Sequence, residues 1–141
     1  MSDSYLIVGG SSDIARVVAT NLLSSGKHVT LVARDESRVS DLINQGAKAI
    51  IGDSLEQEII AEAIEAAMAS GGGKISGVAH LVGSIAIRPP HAMKIDAFQD
   101  VITTNLTSAF LTLSMVGKAM LKSGGGKMVF TSSVAATLGL V

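Results

Sequence analysis

Short unbroken apolar runs alternate along this chain with longer stretches in which apolar residues recur every three or four positions. The runs at residues 5–8, 28–33 (HVTLVA), 47–52 (AKAIIG), 75–82 and 127–131 (KMVFT) read as strands. Between the first two, Ile14, Val17, Val18 and Leu22 share one helical face, with Asp13 as N-cap and Gly26 as stop. A short helix is expected over 37–45, closed by Gly46. Ile59, Ile60, Ala63, Ile64 and Ala67 mark the face of another, ended by glycines 71–73. The proline pair after Arg88 keeps the next stretch in a loop. Ile95, Phe98, Ile102, Leu106, Phe110 and Leu113 then hold helical spacing in a segment running to about Lys122, closed by glycines 124–126. Five strands separated by helix-length segments imply βαβ units, hence an α/β domain over residues 1–141 built on a doubly wound parallel sheet.

Composition agrees, because 48% of the residues are hydrophobic and only 16% charged, which suits strands buried on both faces. A net charge of -1 and 3% aromatic residues leave no footprint for nucleic acid. The chain has no cysteine, so it has neither a disulfide framework nor a thiolate metal site, and it fits a reducing compartment. His28, His80 and His91 are not spaced as metal ligands, and no metal is expected. The opening MSDSYLIVGG lacks a basic n-region, and no stretch approaches bilayer-spanning length; a cytoplasmic protein without membrane contact is expected. Ser-Gly-Gly-Gly-Lys occurs at 70–74 and again at 123–127. A phosphate loop needs a strand before it and a helix after it; each copy here has the reverse order, so both are expected to be glycine helix stops.

The first strand runs into Gly9-Gly10-Ser11-Ser12-Asp13-Ile14-Ala15. A backbone that doubles back needs a residue without a side chain, and a helix start offers free N–H groups and a favourable dipole to an anion. Gly9 and Gly10 meet the first need, and the helix beginning near Ile14 the second. This turn resembles the Gly-x-x-x-Gly-x-Gly of the short-chain dehydrogenase/reductase family, a Rossmann-type fold, with Gly9 at its first glycine, Asp13 at its second and Ala15 at its third. Ser11 and Ser12 would donate hydroxyls, and Arg16 one turn on would offset the charge of Asp13. Arg34 follows the second strand, where an acidic residue would bind the ribose hydroxyls and an Arg accommodates a 2′-phosphate, so NADP is expected rather than NAD. The resemblance assigns Asp53, after the third strand, to the adenine. It matches His80-Leu81-Val82-Gly83 to the family's Asn-Asn-Ala-Gly, with Gly83 retained and the backbone carbonyl of His80 near the ribose.

Asn105, in Thr-Thr-Asn-Leu-Thr-Ser-Ala-Phe, is similar to the family's catalytic-site Asn, and Ser133 to the second serine of its Ser-Ser signature, which polarises a substrate carbonyl. The family's Tyr-x-x-x-Lys lies farther past that serine than these residues extend, so the resemblance covers the whole chain and only the N-terminal part of the family fold. The implied activity is NADP-dependent interconversion of a carbonyl and an alcohol in a small molecule, with little turnover from these 141 residues alone. A nucleotide-binding module without turnover, or an inactive fragment, is the alternative. A phosphoacceptor receiver domain would need an acidic pair where Gly9 and Gly10 stand, and a Ser-His-Asp hydrolase a Gly-x-Ser-x-Gly elbow. The edge of the fifth strand and the apolar face of the 95–122 segment lead us to expect a homo-oligomer.

Overall fold

The computed structural model describes residues 3–138; the two ends of the expected 1–141 domain lie outside the described residues. Five parallel strands form one sheet in the order β3-β2-β1-β4-β5. They are β1 (Ser4–Val8), β2 (His28–Ala33), β3 (Lys48–Ile51), β4 (Gly77–His80) and β5 (Lys127–Phe130). Helices α1 (Asp13–Ser24), α2 (Ser40–Asn44) and α3 (Gln57–Ser70) alternate with them. A long helical segment between β4 and β5 is built from α4 (Ile95–Ile102), a π-helical turn (Thr103–Thr107) and α5 (Ser108–Lys122).

The strands are apolar throughout because neighbouring residues feed two cores. Leu6, Val8, Val32 and Ile50 pack with Ile60, Ala63, Val116 and Met120 of α3 and α5. Ile7, Val29, Leu31 and Ala33 pack with Ala15 and Ala19 of α1 and with Val39 and Leu42. Helices thus cover both faces, as a doubly wound sheet requires. The register ends the strands at one level, with Val8 opposite both Val32 and His80, Ala33 opposite Ile51, and His80 opposite Phe130. The turns leaving β1, β2, β3 and β4 therefore meet along one edge. Both Ser-Gly-Gly-Gly-Lys copies are helix stops, with the Gly73 amide donating to the Met68 carbonyl (2.8 Å) and that of Gly125 to Met120 (2.7 Å).

Several local expectations are corrected. Ser12, not Asp13, caps α1: its hydroxyl accepts from the Ala15 amide at 3.1 Å, and Asp13 is the first helical residue. Ile14 and Val17 point outward, and the smaller Ala15 and Ala19 face the sheet, which lets α1 lie close to β2. The expected 37–45 helix is a 3₁₀ turn (Glu36–Arg38) followed by α2; the carboxylate of Asp35 caps the turn through the Ser37 amide. The third, fourth and fifth strands are each shorter than their apolar runs, because Ala47, Gly52, Ile75 and Thr131 belong to connections.

The 95–122 segment turns its large apolar residues outward. Ile95, Phe98, Leu106, Phe110 and Leu113 are 49–74% exposed, and the side facing the sheet is Ser108, Thr112, Val116 and Met120. The spacing marks the helix, and the apolar face stands open, as the expectation of association requires. Phe98, Ile102, Leu106 and Phe110 are spaced by four, so on a regular helix the row would drift by about 40° per step. The π turn takes in an extra residue at this place and absorbs the drift, which keeps the row on one outer side.

Candidate functional site

At the common carboxyl edge of the strands lies a cleft of about 340 Å³. It is walled by Gly9, Ser11 and Ser12 after β1, by Arg34 and Arg38 after β2, by Asp53 and Ser54 after β3, and by residues 81–84 after β4. The chain steps outward from β1 to β2 and β3, then returns to the other side of β1 for β4. An open α/β sheet parts at such a reversal and leaves a crevice there.

Gly9 makes the floor possible. Its φ is +93°, and a Cβ there would sit 2.9 Å from the carbonyl carbon of Leu81. The amides of Gly9 and Gly10 both donate to the Val32 carbonyl (3.1 and 2.8 Å), which ties the turn to the end of β2. These two N–H groups are thereby spent. Among the described residues, the amides of Ser11, Asp13 and Ile14 are left without a protein acceptor at the start of α1, and the hydroxyl proton of Ser12 remains free to donate. A negatively charged group is what such an opening favours.

Arg34 and Arg38 are both exposed and put cationic groups at the β2 side of the cleft. Arg38 is placed by a clamp. The Arg16 guanidinium donates to the Arg38 carbonyl at 2.8 Å and pairs with the carboxylate of Asp41. The guanidinium holds the Asp41 carboxyl below its ordinary value. Arg16 therefore does not offset Asp13, as the sequence suggested; it joins α1 to the segment leading into α2. Asp53 lines the far end of the cleft and caps its own turn, one carboxylate oxygen accepting from the Leu55 amide at 2.9 Å.

Gly9, Ser11, Ser12, Arg34, Asp53 and Gly83 thus share one cleft, whereas Asp13, Ile14, His80, Asn105 and Ser133 do not line it. Asp13 is exposed on the first turn of α1. The imidazole of His80 turns into the protein, with Nδ1 3.0 Å from the hydroxyl of Thr112, Nε2 3.1 Å from that of Ser108, and Phe130 beside the ring. Burial lowers the pKa of this imidazole. Asn105 lies in the π turn. Its Nδ2 donates to the carbonyls of Val101 (2.8 Å) and Ser84 (2.9 Å), and its Oδ1 accepts from the Ser84 amide at 3.1 Å, so it laces the turn to the wall after β4. Gly83 has no side chain where a Cβ would approach the Asn105 carbonyl oxygen to 3.2 Å. Ser133 follows β5 at the same edge and caps a short 3₁₀ turn, accepting from the Ala135 amide at 3.2 Å.

Arg38, Ser84, Thr104 and Ser108 line the cleft and were not singled out from the sequence. Arg38, four residues past Arg34, carried a readable signal: an arginine within one turn of the first. Thr104 and Ser108 carried none, since only the π turn rotates them toward the sheet.

The order 3-2-1-4-5, the helices on both faces and the glycine turn at the central strand define a Rossmann-type α/β fold. A model of the short chain dehydrogenases matches residues 4–141, and the chain belongs to that family of oxidoreductases. It is 29% identical over 140 residues to the 3-oxoacyl-[acyl-carrier-protein] reductase FabG of Salmonella typhimurium, covering 95% of this chain and 56% of that one. An uncharacterised oxidoreductase of Mycobacterium tuberculosis is likewise 29% identical over 140 residues, covering 96% of this chain and 52% of its own length. Among solved structures, a short-chain dehydrogenase/reductase from Mycobacterium ulcerans superposes with a TM-score of 0.89 at 25% identity, over 99% of this chain and 55% of that one. The F189W actinorhodin polyketide ketoreductase with NADPH superposes at 0.87 and 26% identity, over 99% and 56%. The chain spans a little over half the length of these relatives. Among the described residues no helix is long and apolar enough to cross a membrane.

Proposed function

We propose that residues 1–141 are the NADP-binding domain of a short-chain dehydrogenase/reductase acting on a small carbonyl or alcohol. The observation that carries this reading is the convergence of Arg34, Arg38, Ser11 and Ser12 on one cleft around the Gly9 turn. The residues fit the cofactor: a cradle that a Cβ would fill, unpaired amides at a helix start, and two cations beside it. The Gly9 turn and the amides of Asp13 and Ile14 would hold the pyrophosphate, Arg34 and Arg38 a 2′-phosphate, and Asp53 the adenine side. Hydride transfer to or from a carbonyl carbon is the chemistry the cofactor supplies when bound. In the same reading Ser133 orients the substrate oxygen, the carbonyl of His80 faces the ribose, and Asn105 keeps the β4 wall in place. A cytoplasmic setting belongs to this reading, and the cysteine-free composition suits it.

Calorimetric titration with NADPH and NADH tests it. NADPH is expected to bind more tightly by about 1–3 kcal/mol, the range of a charge-assisted contact, and Arg34→Ala to lose most of that preference. Equal affinities, or an unchanged preference in the variant, would overturn the NADP assignment.

Assembly is the other part of the reading. The outer row of Ile95, Phe98, Leu106, Phe110 and Leu113 is an apolar strip that water disfavours, and among the described residues β5 pairs only with β4. We expect a homo-oligomer closed over this strip. Light scattering should give at least a dimer, and Phe110→Glu should shift it toward monomer; a wild-type monomer at high concentration counts against the idea.

A further inference from the structure

Among the described residues His80 is the one buried titratable group, and the proposed chemistry leaves its ring unused. It stands at the end of β4, 2% exposed, and its two partners, Ser108 and Thr112, are fully buried on α5. The hydrogen-bond pattern assigns its tautomer. The hydroxyl of Ser108 donates to the carbonyl of Thr104 and so can only accept from the ring. Nε2 therefore carries the hydrogen, and Nδ1 accepts from the hydroxyl of Thr112. A directed chain results, from the imidazole through Ser108 to the backbone of the π turn.

A π turn departs from the i→i+4 ladder and persists where other groups satisfy its carbonyls. Here two side chains bond carbonyls at the entry to the turn and within it. Asn105 donates to Val101 from the exposed side, and Ser108, itself held by His80, donates to Thr104 from the buried side. The outer tie, on the exposed Asn105, competes with water; the inner one is part-buried, on a Ser108 that is itself buried, where a hydrogen bond is electrostatically stronger. Thr104 and Ser108 both line the cleft, and Asn105 lies between them in sequence.

We propose that His80 is a positioning residue: its Nε2–H, acting through the Ser108 hydroxyl, holds the π turn against β4 and so sets the cleft wall and the place of Asn105. The value of this placement for catalysis rests on the function proposed above; the placement itself does not, and it is read without nucleotide.

The test is nuclear magnetic resonance on this chain. Imidazole nitrogen shifts are expected to report a neutral Nε2–H ring; the Nδ1–H tautomer would overturn the assignment. In His80→Leu and in Ser108→Ala, amide exchange at Thr104 and Asn105 is expected to quicken about tenfold or more, with β1 and β2 amides unchanged. His80→Gln, long enough to offer an N–H to Ser108, is expected to restore protection, and Thr112→Val to leave the turn protected because the chain does not pass through it. Ser108→Ala without effect, or quickening spread equally over the sheet, would overturn the proposal. Absence of NADPH binding would overturn the proposed function and leave this assignment standing.

Discussion

NADPH oxidation by these 141 residues alone, against a panel of ketones and aldehydes, is expected to run about 100- to 10,000-fold below that of a longer form carrying a Tyr-x-x-x-Lys. The reason is proton transfer. Reducing a ketone places charge on its oxygen, and a positioned acid must deliver a proton there. A phenol whose pKa is lowered by a nearby cation serves well. The only tyrosine here, Tyr5, lies in β1 opposite Val29 and Gly77, toward the amino end of the parallel strands, whereas the cleft is at their carboxyl end. Ser133 sits at the correct edge, but its hydroxyl caps a 3₁₀ turn, and among the described residues no base hydrogen-bonds to it. Steady turnover by the 141-residue chain, lost in Ser133→Ala, would show that the acid comes from elsewhere. A longer form that carries the motif and stays silent would favour a nucleotide-binding module without turnover.

Substituting Gly9 is expected to be the most damaging single change to the cleft. Alanine at φ +93° is strained, and its Cβ would meet the Leu81–Val82 peptide at 2.9–3.0 Å, a backbone contact that cannot turn aside. Strain and overpacking together are expected to cost about 2–4 kcal/mol of stability. NADPH affinity should fall on the order of 100-fold, since the turn must back away from β4 and the amides at the start of α1 move with it. Gly46→Ala is the control. Gly46 has φ +104° with nothing within 4 Å of where a Cβ would stand, and it lies outside the cleft. It should lose about 1–2 kcal/mol for the backbone alone and keep its affinity. Equal loss of binding in both variants would mean that Gly9 acts only through overall stability.

Much of the fold was legible in the residues because its signals are local. A buried parallel strand needs an apolar run whatever surrounds it, so residues 5–8 and 28–33 announced themselves within one residue at either end. The glycine stops at 71–73 and 124–126 were equally plain, since the positive φ of Gly72, Gly73, Gly124 and Gly125 penalises other residues. For the cleft, Gly9, Ser11, Ser12, Arg34, Asp53 and Gly83 could be read because each follows a strand, and parallel strands in register deliver their ends to one edge.

Other features depended on what each element packs against. Periodicity located the 95–122 helix but could not say what its other side packs against. A row of large apolar residues satisfies helical spacing equally well facing inward or outward, and the sheet-facing side was claimed by Ser108 and Thr112 because the imidazole of His80 needs hydroxyl partners there. The role of Arg16 likewise turned on Asp41, twenty-five residues away, and no local pattern connects them. From its sequence alone this protein had its strands, its turns and its strand-end residues. The tertiary structure decided which side of each helix is buried, which way His80 points and how the π turn brings Thr104 and Ser108 to the cleft, because those choices are made by partners distant along the chain.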